Sequence, residues 1–305
     1  MRAPNGLRFD ANLKWLFTEV PFEERFDAAA TAGFTAVEYA DPYPYPAARL
    51  RRRLADAGLS QVLINAPMGE PGSPERAGVA CLPGHSDRFR ADLERGLDYA
   101  VELGSDFLHV LGGIRPAGVG HDRAFATFVA NLAWAVERAR GTGVCLVLEA
   151  QNSRDVPGFL LDTQARAAAV VEALGGDGIG LLLDLYHVQV QEGDLVSTLR
   201  ERLPLVRHIQ IADPPERTEP GSGEIAWPRI FGTLLDASYP GWIGCEYRPA
   251  NGTVNGLSWV TEHAGTASTS ATSATSATSA TSSASVASVA SAASTVSTAS
   301  AEGVR

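Results

Sequence analysis

Lysine is almost missing from this chain of 305 residues: Lys14 is the only one, and every other basic side chain is arginine. Reactions that require a placed lysine, such as Schiff-base aldol chemistry or a phosphate-cradling loop, therefore have a single candidate; a solvated loop position is the plainer reading of Lys14. Cysteine is as sparse. Cys81, Cys145 and Cys245 are too few for a disulfide framework and lack metal-type spacing; the last two lie inside apolar runs, where cysteine acts as a small hydrophobe. No run of about 18 apolar residues occurs, so no membrane-spanning helix is expected. Met1–Gly6 lacks the apolar stretch of a secretory signal, and a reduced cytoplasm is the expected location. Basic charge is short overall. A formal net charge of −10 repels phosphate backbones and excludes nucleic acid as an expected partner; anionic small substrates stay compatible, because charge in a cleft can oppose the global sign. Also absent are Gly-x-Gly-x-x-Gly after a strand, Gly-x-Ser-x-Gly, His-Glu-x-x-His and the Walker sequence. Gly175-Gly176-Asp177-Gly178 has the wrong spacing for a dinucleotide loop and reads as a helix end and turn.

What is present is alternation. Short apolar runs at Leu7–Leu13, Phe34–Tyr39, Ser60–Ile64, Phe107–Leu111, Val144–Glu149, Gly180–Leu185, Val206–Ile211 and Trp242–Glu246 read as buried strands. Helical patterns lie between them: Phe22–Thr31, opened by Pro21 and closed by Gly33; Asp87–Leu103, closed by Gly104; Phe125–Arg140, closed by Gly141; Thr163–Leu174, closed by Gly175; and Leu195–Leu203, stopped by Pro204. Strands followed by helices, repeated in this way, predict an α/β fold, a right-handed, all-parallel (β/α)8 TIM barrel over residues 1–263. Residues 264–305 are Ala-Thr-Ser triplets followed by Ser/Ala/Val repeats, and with no large apolar side chain to bury they are expected to be a disordered tail. Two long loops, Asn65–His85 and Ala212–Ile225, follow strands and are placed on the catalytic face.

Polar residues stand at the ends of four of the apolar runs: Glu149, Asp184, Gln210 and Glu246, separated by 35, 26 and 36 residues. Side chains at carboxyl ends of barrel strands converge on one site. Three carboxylates and an amide oxygen form an all-oxygen set, suited to a hard divalent cation, Mg²⁺ or Mn²⁺, rather than zinc. For any one of these acids alone a salt-bridged structural role is the default; four in register argue for a site. His187, three residues past Asp184, is within reach of the same cavity. Arg217, in the loop after the seventh strand, read as mobile, is placed to fork onto a substrate carboxylate; a solvated loop charge is the alternative. Two glutamates across a cavity suit proton transfer next to a carbonyl. Trp15, Phe17, Tyr43 and Tyr45 are candidates for a pocket lining, for core or loop packing, or for a subunit interface of a homo-oligomer.

Several stretches resemble the hydroxypyruvate isomerases, within the xylose-isomerase-like barrels, from about Leu7 to His263. They are Arg8–Leu13, Gly33–Glu38, Gly78–Gly84, Asp155–Phe159, Asp184-Leu185-Tyr186-His187, His208–Asp213, Glu219–Ile225 and Gly241–Tyr247. Leu148-Glu149-Ala150-Gln151-Asn152 resembles the family's Glu-Pro-x-Asn, with Ala150 in place of proline. The resemblance implies that Glu149 and Glu246 are the proton donor–acceptor pair, that Glu149, Asp184, Gln210 and Glu246 hold a divalent metal, and that the reaction interconverts hydroxypyruvate and tartronate semialdehyde. Related sugar epimerases usually carry histidine where Gln210 stands, which implies weaker metal binding here. A 2-oxo-tetronate isomerase or a ketose 3-epimerase would use the same residues in a pocket of different size. An abasic-site nuclease on this barrel would need several histidines and a basic face, which six histidines and a charge of −10 do not supply. A silent sugar-binding protein would have no need to retain both glutamates.

Overall fold

The computed structural model describes residues 1–264; the tail expected from the sequence lies outside the described residues from position 265 on. Eight parallel strands close into a barrel in chain order, β1 Arg8–Asn12, β2 Ala36–Glu38, β3 Ser60–Asn65, β4 Phe107–His109, β5 Cys145–Glu149, β6 Ile179–Asp184, β7 Val206–Ile211 and β8 Trp242–Cys245. Each overlaps a strand expected from the sequence. Closure is made by β8 pairing with β1, Phe9 against Ile243 and Ala11 against Cys245.

The helices are α1 Arg25–Thr31, α2 Ala47–Ala57, α3 Ser86–Leu103, α4 His121–Ala139, α5 Gln164–Ala173, α6 Leu185–Gln191, α7 Leu195–Arg202, α8 Trp227–Asp236 and α9 Trp259–Glu262. A 3₁₀ turn, Phe22–Glu24, precedes α1, so the single helix expected from Phe22 is split. Helices α2, α6, α8 and α9 have no counterpart in the sequence reading. Helix α2 faces the sheet through Leu50 and Leu54, four residues apart and both buried, each contributing roughly 1.5–3 kcal/mol by burial. Helix α3 ends where Gly104 takes the left-handed conformation at φ 65°, which glycine adopts without the Cβ clash.

Strand alternation divides the buried side chains. The main core lies between sheet and helices, and Phe9, Phe231 and Trp259 meet edge-on and stacked within it. A second cluster, Ala36, Val62, Leu63, Val147 and Leu182 with Phe107 and Trp242 against it, is separate. Four of its strands carry, two residues further on, Glu38, His109, Glu149 and Asp184. Residues two apart share a face, so on these strands an apolar layer lies beneath a polar one; β1 and β7 differ, placing the fully buried Asp10 and His208 two residues before Asn12 and Gln210.

Candidate active site

The carboxyl ends of the strands open onto a cavity of about 230 Å³. Its walls include Asn12 from β1, Asn65 from β3, His109 from β4, Glu149 from β5 and Gln210 from β7, with Glu246 just past β8. Trp15, His187 and Arg217 also line it, as do the exposed Lys14 and, from the loop after β3, Met68, Arg76 and Ala77. Of the six residues singled out in the sequence, five line this cavity. Asp184 does not: it is fully buried, and Arg217, which is a wall, donates from Nη2 to its Oδ2 at 2.9 Å.

The same Nη2 donates to Glu246 Oε2 at 2.6 Å. Arg217 therefore bridges two carboxylates, with its guanidinium between the rings of Trp15 and Tyr186 at 5.1 and 4.6 Å from the ring centres. Burial disfavours its charge, but Glu246 and Asp184 outweigh burial and raise its pKa above the ordinary value. The backbone at Arg217 is left-handed, φ 58°, a conformation uncommon for non-glycine residues. What holds it is Asp213. That fully buried carboxylate accepts from Gly221 N, Gly223 N, Ile225 N and Trp227 Nε1 at 2.9, 3.0, 3.0 and 2.8 Å, and its backbone pairs with Thr218 in both directions. The loop Ala212–Ile225 is fastened around one side chain.

Glu246 faces donors: besides Arg217, Trp15 Nε1 at 3.2 Å and Asn12 Nδ2 at 3.4 Å reach its Oε1. Glu149 is placed differently. Gln151 Nε2 donates to it at 2.6 Å, but burial first, then the charges of Glu246 and Asp184, push its pKa well above the usual carboxylate range. Asp184, which N-caps α6 by accepting from Tyr186 N at 2.9 Å, is raised to about 7, chiefly by burial, with Arg217 opposing.

His187 sits in the first turn of α6. Its Nδ1 takes the backbone N–H of Asn152 at 3.2 Å and faces the Asn152 amide nitrogen at 2.6 Å. An Nδ1 that accepts leaves the proton on Nε2, and Nε2 lies 3.5 and 3.7 Å from Glu149 Oε1 and Asp184 Oδ2, with Arg217 Nη1, itself a donor, also at 3.5 Å. Burial and then Arg217 hold its pKa well below the ordinary value, so the ring is a neutral donor. The Asn152 of the Glu149 segment is thus the residue that fixes the His187 tautomer.

The donor set fits a hard dication. Asp184 Oδ2 and Glu246 Oε2 flank a single nitrogen of Arg217, so a cation in that nitrogen's place meets both. Glu149, Asp184 and His187 offer ligand atoms within 4.8 Å of one another. Trp15, one of the aromatic residues named as candidates for a pocket lining, is in the wall; the sequence reading missed Asn12, His109 and the fully buried Glu38, which accepts from Gln210 and Asn12 from beneath. Glu38 and His109 lie inside the runs Phe34–Tyr39 and Phe107–Leu111 rather than at their ends, so the signal used for the others passed over them.

An eight-stranded parallel barrel with carboxylates, amides and an arginine converging at the carboxyl ends of its strands defines an enzyme of the β/α-barrel class. The chain belongs to the xylose isomerase-like TIM barrel family, whose sequence model matches residues 26–263. It is 43% identical over 258 residues to a 2-oxo-tetronate isomerase of Cupriavidus necator, covering 85% of this chain and 99% of that one. It is 38% identical over 254 residues to the hydroxypyruvate isomerase of Escherichia coli, covering 83% and 98%. Among solved structures it matches one from Brucella melitensis described as an AP endonuclease of family 2, at TM-score 0.81 and 37% identity, covering 84% of this chain and 99% of that one.

Proposed function

We propose that this protein is an aldose–ketose isomerase of short 2-oxo acids that interconverts hydroxypyruvate and tartronate semialdehyde. The observation that carries the reading is the unequal setting of two glutamates on one cavity: Glu246 among donors, Glu149 crowded by acids. Pairs of carboxyl groups whose surroundings pull them apart take acid and base roles. Glu246 removes a proton from C3 of hydroxypyruvate, and the electron pair moves onto the C2 carbonyl oxygen to give the enediolate. The hydroxyl proton passes from O3 to O2, and Glu149 delivers its proton to C2, leaving the aldehyde at C3. The Nε2–H of His187 and the guanidinium of Arg217 face the developing oxygen charge, and Arg217 also suits the substrate carboxylate. A divalent cation, Mg²⁺ or Mn²⁺, would be held by Glu149, Asp184, Glu246 and the Gln210 oxygen; it would supply polarisation of the carbonyl.

The 43% identity to a 2-oxo-tetronate isomerase favours a second substrate, one hydroxymethylene longer, handled by the same groups. A nuclease role, suggested by the name of the Brucella relative, meets a net charge of −10 and a site walled by acids, both repellent to a phosphate chain. The test is incubation with each acid in D₂O, with Mg²⁺ or after chelation, followed by NMR beside Glu246→Gln. Semialdehyde carrying deuterium at C2, reduced about 10²–10⁴-fold in the variant, is the expected result. Neither product nor exchange from either acid would sink the isomerase reading.

A further inference from the structure

We infer that Glu38 is a positioning residue: it sets the amide orientation of Gln210, and so decides that Gln210 offers an oxygen to the cavity. The inference rests on the isomerase reading above. A glutamine amide has two ends of opposite character, nearly alike in shape. For Gln210 to serve as a ligand or acceptor, its oxygen has to face inward, and nothing on β7 itself selects that end.

Glu38 makes the selection from across the barrel. A carboxylate accepts and cannot donate, and Glu38 Oε1 lies 2.8 Å from Gln210 Nε2 and 2.8 Å from Asn12 Nδ2. Both amides are therefore held nitrogen-first against it. Gln210, which lines the cavity while Glu38 does not, is left with its carbonyl oxygen free for that side. Asn12 is fixed by the same atom; its Nδ2 reaches on to Glu246 Oε1 at 3.4 Å, and its Oδ1 accepts from Lys14 N at 3.1 Å. One buried oxygen thus orients the proposed ligand on β7 and a hydrogen-bond partner of the proposed base just past β8.

Glu38 is in turn immobilised. Its Oε2 lies 2.6 Å from His208 Nε2, and both residues are fully buried. On β8, Gly244 leaves the space: a Cβ there would stand 2.5 Å from Glu38 Oε1. Asp10, Glu38 and His208 also have the spacing of a metal cluster. The 2.6 Å contact between His208 and Glu38 is nevertheless a hydrogen bond, shorter than the spacing of about 3 Å or more between ligands bound to one ion at ordinary bond lengths.

The experiment uses the full chain with ¹⁵N-labelled glutamine, the Gln210 side-chain signal being assigned by its loss in Gln210→Met. In the wild type that amide should exchange slowly with solvent. Mn²⁺ affinity is then measured by calorimetry for the wild type, Glu38→Met, Gln210→Met and the double variant. Glu38→Met should weaken binding about 10–100-fold, and the double variant should lose clearly less than the product of the two single losses. Effects that multiply in the double variant overturn the inference, as does a Gln210 amide that exchanges as fast as an exposed glutamine, or a wild type that binds no Mn²⁺. If Glu38→Met does not fold, the exchange rate in the wild type decides. Turnover is scored separately: coupled Mn²⁺ affinities in a protein without isomerase activity uphold the positioning role and sink the isomerase reading, while intact turnover with independent variants does the reverse.

Discussion

His109 is buried, lies 3.7 Å from Glu149 Oε2, and its Nε2 has no hydrogen-bond partner. Burial lowers its pKa from 6.5 to about 3. The sign of the consequence follows from proton counting. Below pH 6.5 the unfolded chain protonates this ring and the native protein does not, so stability falls with pH across the window from 6.5 down to about 3, and is unaffected above it. Asp184, raised to about 7, acts in the opposite direction between its unfolded value and 7. The comparison must therefore be with His109→Gln. Between pH 6.5 and 5 the wild type should lose about 1.6 kcal/mol more than the variant, the slope rising from half to nearly all of 1.36 kcal/mol per pH unit, read from urea midpoints of the metal-free protein. An equal loss in both would refute the neutral, buried ring. At this scale the sequence exposed part of the site. Glu149, Gln210 and Glu246 stand out because each ends an apolar run. Asp184 shares that signal yet does not line the cavity, because the position of Arg217 depends on a loop conformation that no local pattern encodes.

The loop between β7 and α8 is the element on which the site most depends. Four donors of residues 221–227 converge on Asp213, and each is left unsatisfied if the carboxylate is removed, at roughly 1–3 kcal/mol apiece before relaxation. Asp213→Ala is expected to lower unfolding free energy by about 3 kcal/mol or more, and to cut kcat/KM by freeing Arg217, while α3 and α4 on the far side keep their hydrogen-exchange protection. A variant as stable and active as the wild type would show that the arch stands without its central bond. The elements that escaped the sequence reading did so for physical reasons. In α2 the apolar stripe is two leucines among arginines, behind Pro42, Pro44 and Pro46. In α6 no loop intervenes: Asp184 is both the last strand residue and the N-cap, so the apolar run continues through the change of period. Helix α8, with a proline in its first turn, carried a readable start signal.

For the whole molecule, the barrel was legible because eight buried parallel strands leave eight apolar runs, a pattern that local noise does not erase. The interior layering was not, since it depends on which strands face each other across the barrel. Every residue assigned to the site lies between Asn12 and Glu246, and α9 ends at Glu262. A chain ended after residue 264 is accordingly expected to keep the thermal midpoint and turnover of the full protein; loss of either on truncation would assign the last 41 positions a part in the barrel or its site. The fastening of the Ala212–Ile225 arch by Asp213 carries a further consequence, for timing. Flaps that close over substrate add steps of microseconds to milliseconds and often set turnover. A cover already tied down contributes no such step; what adjusts as substrate enters is the Arg217 side chain, and side-chain rotations belong to a far faster class of motion. On this side of the cavity, selection of substrate is then expected to fall to a standing wall rather than to a closing movement.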